Sequence, residues 1–229
     1  MSDRIVVLSG AGISAESGLA TFRGSGGLWE GYDINEVASM HGWRKDPAGV
    51  LEFYNMRRRQ IAKVEPNGAH KAIAELEEQF DVRVVTQNID DLHERAGSTH
   101  VLHLHGELTK ARSVKKEDLI VDIGYNDIRY GDLAEDGAQL RPHIVWFGEM
   151  VPMIPEAADI VATADILIVI GTSLVVYPAA GLVDYAPPGS DRYIVDPNKP
   201  ELYNFDNWHH IQEKGVSGMQ QLKQILTSN

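Results

Sequence analysis

Val82-Arg83-Val84-Val85 runs into Thr86-Gln87-Asn88-Ile89-Asp90-Asp91-Leu92-His93, and Val101-Leu102-His103-Leu104 runs into His105-Gly106-Glu107. Each begins as a short apolar stretch of strand character and ends in a cluster of amides, carboxylates and imidazoles. In a parallel sheet the crevice beyond the carboxyl ends of the strands is where ligands bind. Packing gives no reason to gather such polar groups there, so the two stretches point to a parallel α/β fold and mark its site.

Working outward, residues 5–8, 166–170 and 193–195 are further short runs rich in β-branched side chains. Residues 166–170 are apolar at every position, as expected of a strand buried on both faces. Helical patterns separate several of these runs. Asn67 can cap a helix whose Ala69, Ile73, Leu76 and Phe80 form one stripe, and Pro155 can sit in the first turn of another spanning 156–164. Alternation of this kind predicts a doubly wound, Rossmann-like parallel sheet. Residues 24–65 read as helical without a strand, and residues 109–141 as charged and weakly periodic. These two stretches are expected to form a smaller inserted lobe. The core of this single domain then comprises roughly 1–23, 66–108 and 142–229.

Composition narrows the function classes. The 229 residues carry 21 Lys and Arg against 33 Asp and Glu, a formal charge of -12, which disfavours direct nucleic-acid binding. There is no cysteine, so disulfides, thiol catalysis and cysteine-ligated zinc are excluded, and a reducing compartment fits. The first apolar run is too short for a signal peptide, and no later one reaches membrane-spanning length. A cytoplasmic protein without membrane contact is expected.

Gly10-Ala11-Gly12-Ile13-Ser14-Ala15 follows the first strand and fits a glycine loop that lets backbone approach a pyrophosphate. Such glycines can also serve only strand-to-helix packing, the lesser alternative. A dehydrogenase needs a strand ending in a ribose-binding acid about 20 residues further on. Here that stretch reads Ser17-Gly18-Leu19-Ala20-Thr21-Phe22-Arg23-Gly24, so a dinucleotide must be held another way. Arg23 could meet phosphate charge and Phe22 could cover a ring, or the two could be a surface arginine beside a core phenylalanine. Along residues 50–61, Val50, Phe53, Tyr54 and Ile61 share one helical face with Arg57 in its middle, while Arg58 and Arg59 point elsewhere and read as solvated. A permanent cation on an apolar stripe needs an anion or a water-filled cavity, or an internal partner such as Glu52 or Glu65.

Five motifs in order complete the picture. Residues 10–18 with Thr21-Phe22-Arg23, then 86–93, Leu104-His105-Gly106, 142–149 and Gly171-Thr172-Ser173-Leu174 together resemble the sirtuins, NAD-dependent protein-lysine deacylases. The resemblance implies that NAD is consumed as co-substrate and that an acyl-lysine peptide binds as an added strand along Val145, Phe147, Gly148, Glu149 and Met150. It implies His105 as general base on a ribose hydroxyl, with Asn88 holding the ribose and Asp90 the nicotinamide carboxamide. Asn88 and Asp90 could also cap the following helix. Gly10, Ala11, Gly12, Ile13, Glu16, Phe22, Arg23, Trp29, Gln87, Ile89, Gly171, Thr172, Ser173, Asp196, Pro197, Asn198 and Gly215 are the further expected cofactor contacts. His93, His100 and His103 read as structural or surface groups.

Tyr54 and Arg57 match the pair found in sirtuins that prefer acidic acyl groups, which implies succinyl- or malonyl-lysine turnover alongside acetyl. Most sirtuins hold a structural zinc with four cysteines. Alignment on His105-Gly106 and Leu140-Arg141-Pro142 places those positions at Ser113, Lys116, Leu133 and Asp136, so no metal is expected. The alternatives are an NAD glycohydrolase or ADP-ribosyltransferase on the same scaffold, and a non-catalytic NAD or ADP-ribose sensor. A monomer is the expected state.

Overall fold

The computed structural model of the chain describes residues 2–20, 31–174, 176–198 and 207–228, and the backbone alone of 28–29. Six strands, Arg4–Ser9, Asp81–Thr86, Val101–His103, Ile166–Ile170, Asp191–Val195 and His209–Ile211, pair in parallel throughout. Counted along the chain, their spatial order is 6-5-4-1-2-3. The order reverses between the first strand and Ile166–Ile170, which opens a crevice at their carboxyl ends.

The pleat sorts the first strand's side chains to two faces. Val6 and Leu8 join Leu167, Val169, Val161 and Leu182 in one buried cluster. Ile5 and Val7 join Ile168, Ile73, Leu76, Met219 and Leu222 in another. The helices Gly68–Leu76 and Gly215–Thr227 supply the second cluster, and Ile154–Val161 with the 3-10 stretch Ala179–Tyr185 supplies the first. Both predicted helix starts hold: Asn67 accepts the Ala69 amide, and Pro155 lies in the first turn.

Two expectations need correction. The 24–65 stretch is not free of strands, since Leu28–Trp29 pairs with Tyr32–Asp33. The 109–141 stretch is not irregular, because Gly106–Ser113 pairs with Ile120–Asp122 and Leu140–Ile144 in an antiparallel sheet. The helix Pro47–Ile61 lies against this small sheet, with Tyr54, Phe53 and Ile61 packed on Leu92, Leu108, Ile144 and Trp146. A neighbouring face puts Leu51 against Ala111 and Ile128. Among the described residues no helix is long and apolar enough to cross a membrane.

Candidate active site

The two loops at the reversal point interlock through glycine. The Gly10 amide donates to the Ile170 carbonyl at 3.1 Å and the Gly12 amide to the Gly171 carbonyl at 2.8 Å. A β-carbon on Gly12 would lie 2.7 Å from Gly171 Cα, and one on Gly171, at φ +65°, would lie 2.2 Å from the Ile13 amide nitrogen. Close loop-to-loop approach is therefore one reason for these glycines, alongside any ligand. Ala11 and Ile13 lie in a 3-10 stretch, Ala11–Ser17, and Ile13 is buried. The Glu16 carboxylate accepts the Val216 amide at 2.9 Å, tying this stretch to the helix that Gly215 opens.

The 86–90 loop joins the first. Ser14 Oγ donates to Asp90 Oδ2 at 3.1 Å and receives Asn88 Nδ2 at 3.2 Å. Asp90 Oδ1 accepts the Leu92 amide at 3.2 Å, so Asp90 does support the start of the following helix. Burial raises its carboxyl above the usual range, and the Leu92 amide, the Ser14 hydroxyl and nearby His103 offset part of that rise. Gln87 Nε2 donates to Thr172 Oγ1 at 3.0 Å, linking this loop to the one after Ile166–Ile170. Ile89 is half-buried, and its carbonyl accepts the Leu108 amide at 2.8 Å.

His105 joins the same loop. Its Nδ1 lies 3.0 Å from the Gln87 carbonyl, which can only accept, so Nδ1 carries the proton and Nε2 is left as the basic nitrogen. Burial lowers its pKa below that of a free imidazole, against a smaller opposing effect of the Gln87 contact. Gly106 has a structural reason to be glycine. At φ +81° it lets the chain pass the His143 carbonyl, which a β-carbon would meet at 2.0 Å.

Tyr54 is fully buried, and its hydroxyl accepts Trp146 Nε1 at 3.0 Å. Burial holds its pKa above the ordinary tyrosine value. Arg57, buried beside it, donates to Gln60 Oε1 at 2.9 Å. The acids suggested as partners for Arg57 are engaged elsewhere: Glu52 with Arg59 and Glu65 with Arg95. Arg58 corrects the sequence reading. It is not solvated but fully buried, donating to the Leu108 carbonyl at 2.8 Å and Asn55 Oδ1 at 2.6 Å.

The 145–150 segment is a turn rather than a continuous extended edge. The Val145 amide donates to the His105 carbonyl, Phe147 to Ala38, and Glu149 to Trp146, with Gly148 at φ +88°. Phe147 and Met150 are 50% and 89% exposed. The Glu149 carboxylate faces inward, paired with Arg141 at 2.7 Å and accepting the Trp146 amide at 2.8 Å. At the crevice's other end Ser173, Pro197 and Asn198 are exposed, and Asp196 Oδ1 caps the Asn198 amide at 2.8 Å. Phe22, Arg23 and the Trp29 side chain lie outside the described residues.

Sequence reasoning missed the groups behind the loops. Ser9 Oγ donates to Thr86 Oγ1 at 2.8 Å and lies 2.9 Å from His93 Nε2. His93 and His70 are fully buried, and their rings meet edge to face at 5.0 Å. Ser14 and Thr86 stood inside quoted motifs, but nothing local announced their distant partners. At the positions aligned with zinc cysteines, Ser113 Oγ donates to Asp136 Oδ2 at 2.7 Å, while Leu133 is exposed.

A sequence profile of the Sir2 family matches residues 10–178. The Helicobacter pylori strain J99 protein named NAD-dependent protein deacylase is 56% identical over 218 residues, spanning 95% of this chain and 93% of its own. A protein of the same name from Bacteroides thetaiotaomicron is 49% identical over 227 residues, spanning 97% of each chain. A crystal structure of a Sir2 homologue–NAD complex superposes with a TM-score of 0.88 at 38% identity, covering 99% of this chain and 90% of that one. A Sir2 complex with a p53 peptide and NAD gives 0.79 at 30% identity, covering 100% and 95%. With the glycine loop, the 86–93 loop and His105 gathered at the reversal of a Rossmann-like sheet, this chain belongs to the Sir2 family.

Proposed function

We propose that the chain is an NAD-dependent protein-lysine deacylase that acts on succinyl- and malonyl-lysine as well as acetyl-lysine. The observation that carries the chemistry is the His105 contact with the Gln87 carbonyl, which leaves Nε2 as a base in the crevice. The names of the relatives support the activity class. In this reading the acyl oxygen forms a bond to the anomeric carbon of the nicotinamide ribose as the bond to nicotinamide breaks. His105 Nε2 then takes the proton of a ribose hydroxyl, which adds to the acyl carbon. Lysine would then leave as the free amine, taking up the proton that His105 removed, and water would add to the cyclic acyl cation left on the ribose, so that one ribose oxygen regains its hydroxyl and the other keeps the acyl group on ADP-ribose. Asn88 orients the ribose, and Asp90 accepts from the carboxamide of the leaving nicotinamide. The loops around Gly10, Gly12, Gly171, Thr172 and Asp196 receive the rest of NAD.

The acyl preference rests on Arg57. It is buried on the Pro47–Ile61 helix three residues from buried Tyr54, the spacing of the pair that the resemblance links to acidic acyl groups. A guanidinium so placed suits a paired hydrogen bond with a carboxylate on the acyl chain, and Tyr54 a third contact. The peptide is bound along the 145–150 turn through the groups not engaged within it. We also propose that the chain needs no zinc, the Ser113–Asp136 bond standing where a metal would be. Elemental analysis finding stoichiometric zinc would remove that part.

Matched acetyl- and succinyl-lysine peptides test the whole. Both should yield acylated ADP-ribose by mass spectrometry, with succinyl turned over faster, and Arg57→Met should reverse the order. Equal loss on both substrates would sink the acyl assignment. Nicotinamide release that ignores the peptide would favour a glycohydrolase instead.

A further inference from the structure

His103 stands two residues before His105, yet its surroundings are opposite. Its Nδ1 is 2.8 Å from the Asn88 carbonyl and its Nε2 is 2.7 Å from Glu94 Oε1. A carbonyl can only accept, and so can an ionised carboxylate. A neutral imidazole has one N–H and would leave one of these contacts as two lone pairs facing each other. The imidazolium satisfies both. His105, whose hydrogen-bond partner among the described residues is the Gln87 carbonyl alone, has no such requirement.

We propose that His103 is a positioning residue, held as an imidazolium between the Asn88 carbonyl and Glu94, that fixes the Asn88–Asp90 turn for cleavage of the nicotinamide bond. The role rests on the function proposed above; the protonation state does not. The groups facing the ring are consistent with it. Glu94 and Glu107 are the acids beside it, with Lys110 paired to Glu107 at 2.5 Å. His93 is held neutral by burial. Burial alone would depress the His103 pKa, but the Glu94 hydrogen bond and charge, the Asn88 carbonyl and Glu107 outweigh it and the pKa rises. The charge also favours the anionic form of buried Asp90, which must accept from a carboxamide.

The test begins with the full-length chain, 15N-labelled at histidine, in chelator. Chelator matters because ligand atoms of Glu94, His103 and Glu107 lie within 4.8 Å of one another, where zinc could replace a proton. Both His103 nitrogens should be protonated at pH 7.5 while His105 shows one. A neutral His103 ring at that pH, or a ring ordered only when zinc is added, overturns the proposal. Glu94→Gln then removes the charge that holds the second proton. Its nicotinamide-release rate at pH 8 should fall about tenfold, the loss expected for one charge-assisted hydrogen bond, and recover toward wild type at pH 6. His103→Gln, which keeps a donor for the Asn88 carbonyl, should retain more activity than His103→Leu at equal melting temperature. An unchanged pH profile in Glu94→Gln overturns the positioning role. Absence of NAD turnover in the wild-type chain would instead overturn the function, leaving the nitrogen spectrum to judge the ring by itself.

Discussion

At the scale of single residues, the proposed chemistry calls for two imidazoles in contrasting states. His105 is the clearer case. Burial lowers its pKa, so the neutral base persists below the pH at which a free imidazole would protonate. The acid limb of the rate profile with acyl peptide should therefore fall below pH 6.5. A limb at or above that value would contradict the burial argument. His105→Ala should slow formation of acylated ADP-ribose by about 10²- to 10⁴-fold, the usual range for one general base. That His105, Asn88 and Asp90 would be brought together was legible because each stands in a compact motif at a strand's end. Ser9, Thr86, His70 and His93 were not, because their meaning lies in partners such as the Ser9–His93 pair, 84 residues apart. Glu149 was half legible: its place in the motif stood out, but not that its carboxylate turns inward to Arg141.

At the scale of elements, the Pro47–Ile61 helix shows where a periodic reading breaks down. A helical wheel assigns one buried stripe and leaves the rest to water, which put Arg57 inside and Arg58 outside. The helix is in fact wedged between two clusters, one around Trp146 and one around Ala111 and Ile128. Arg58 faces the second and satisfies backbone carbonyls of the small sheet and of the loop at Asn126. Burial pushes its pKa down to about 10, with Asp127 opposing, so it remains a cation at neutral pH. Arg58→Met would leave the Leu108 and Asn126 carbonyls and Asn55 Oδ1 without this donor. We expect a loss of about 2–4 kcal/mol in urea unfolding, since buried neutral acceptors left without a donor cost about 1–3 kcal/mol each and part of that is relieved by rearrangement. Arg59→Met, whose pairs with Glu52 and Asp127 are solvent-exposed, should change little. Similar effects from the two variants would mean that Arg58 is not a structural cation. The 109–141 reading failed because its strands do not alternate. Strand Gly106–Ser113 packs against this helix and ends in three consecutive buried residues, two of them Arg112 and Ser113, while Ile120–Asp122 is exposed at every position.

At the scale of the whole molecule, the sheet was legible from five apolar runs, and its sixth strand was not. His209–Ile211 is a three-residue edge strand containing two histidines, and no propensity distinguishes it from a loop. The buried histidines nevertheless give the fold a measurable property. His70 sits under the Asp90 and Ser14 network, with burial pushing its pKa down to about 4, and His93 is lowered by the same cause. The unfolded chain protonates such groups near pH 6.5, so between pH 6.5 and 4 it binds more protons than the folded chain does. The stability due to neutral burial is thus fully present above pH 6.5 and is lost as pH falls, by roughly 3 kcal/mol for His70. His103 has the opposite sign, since its raised pKa stabilises the fold at low pH and that contribution fades as pH rises. Urea unfolding at pH 7 and pH 5 should show the wild-type chain weakened at the lower value. His70→Gln, although less stable throughout for loss of packing, should show a shallower decline over the same interval. If both proteins lost stability in parallel between these pH values, neutral burial of His70 would not be the cause, and ordinary carboxylate protonation would account for the slope.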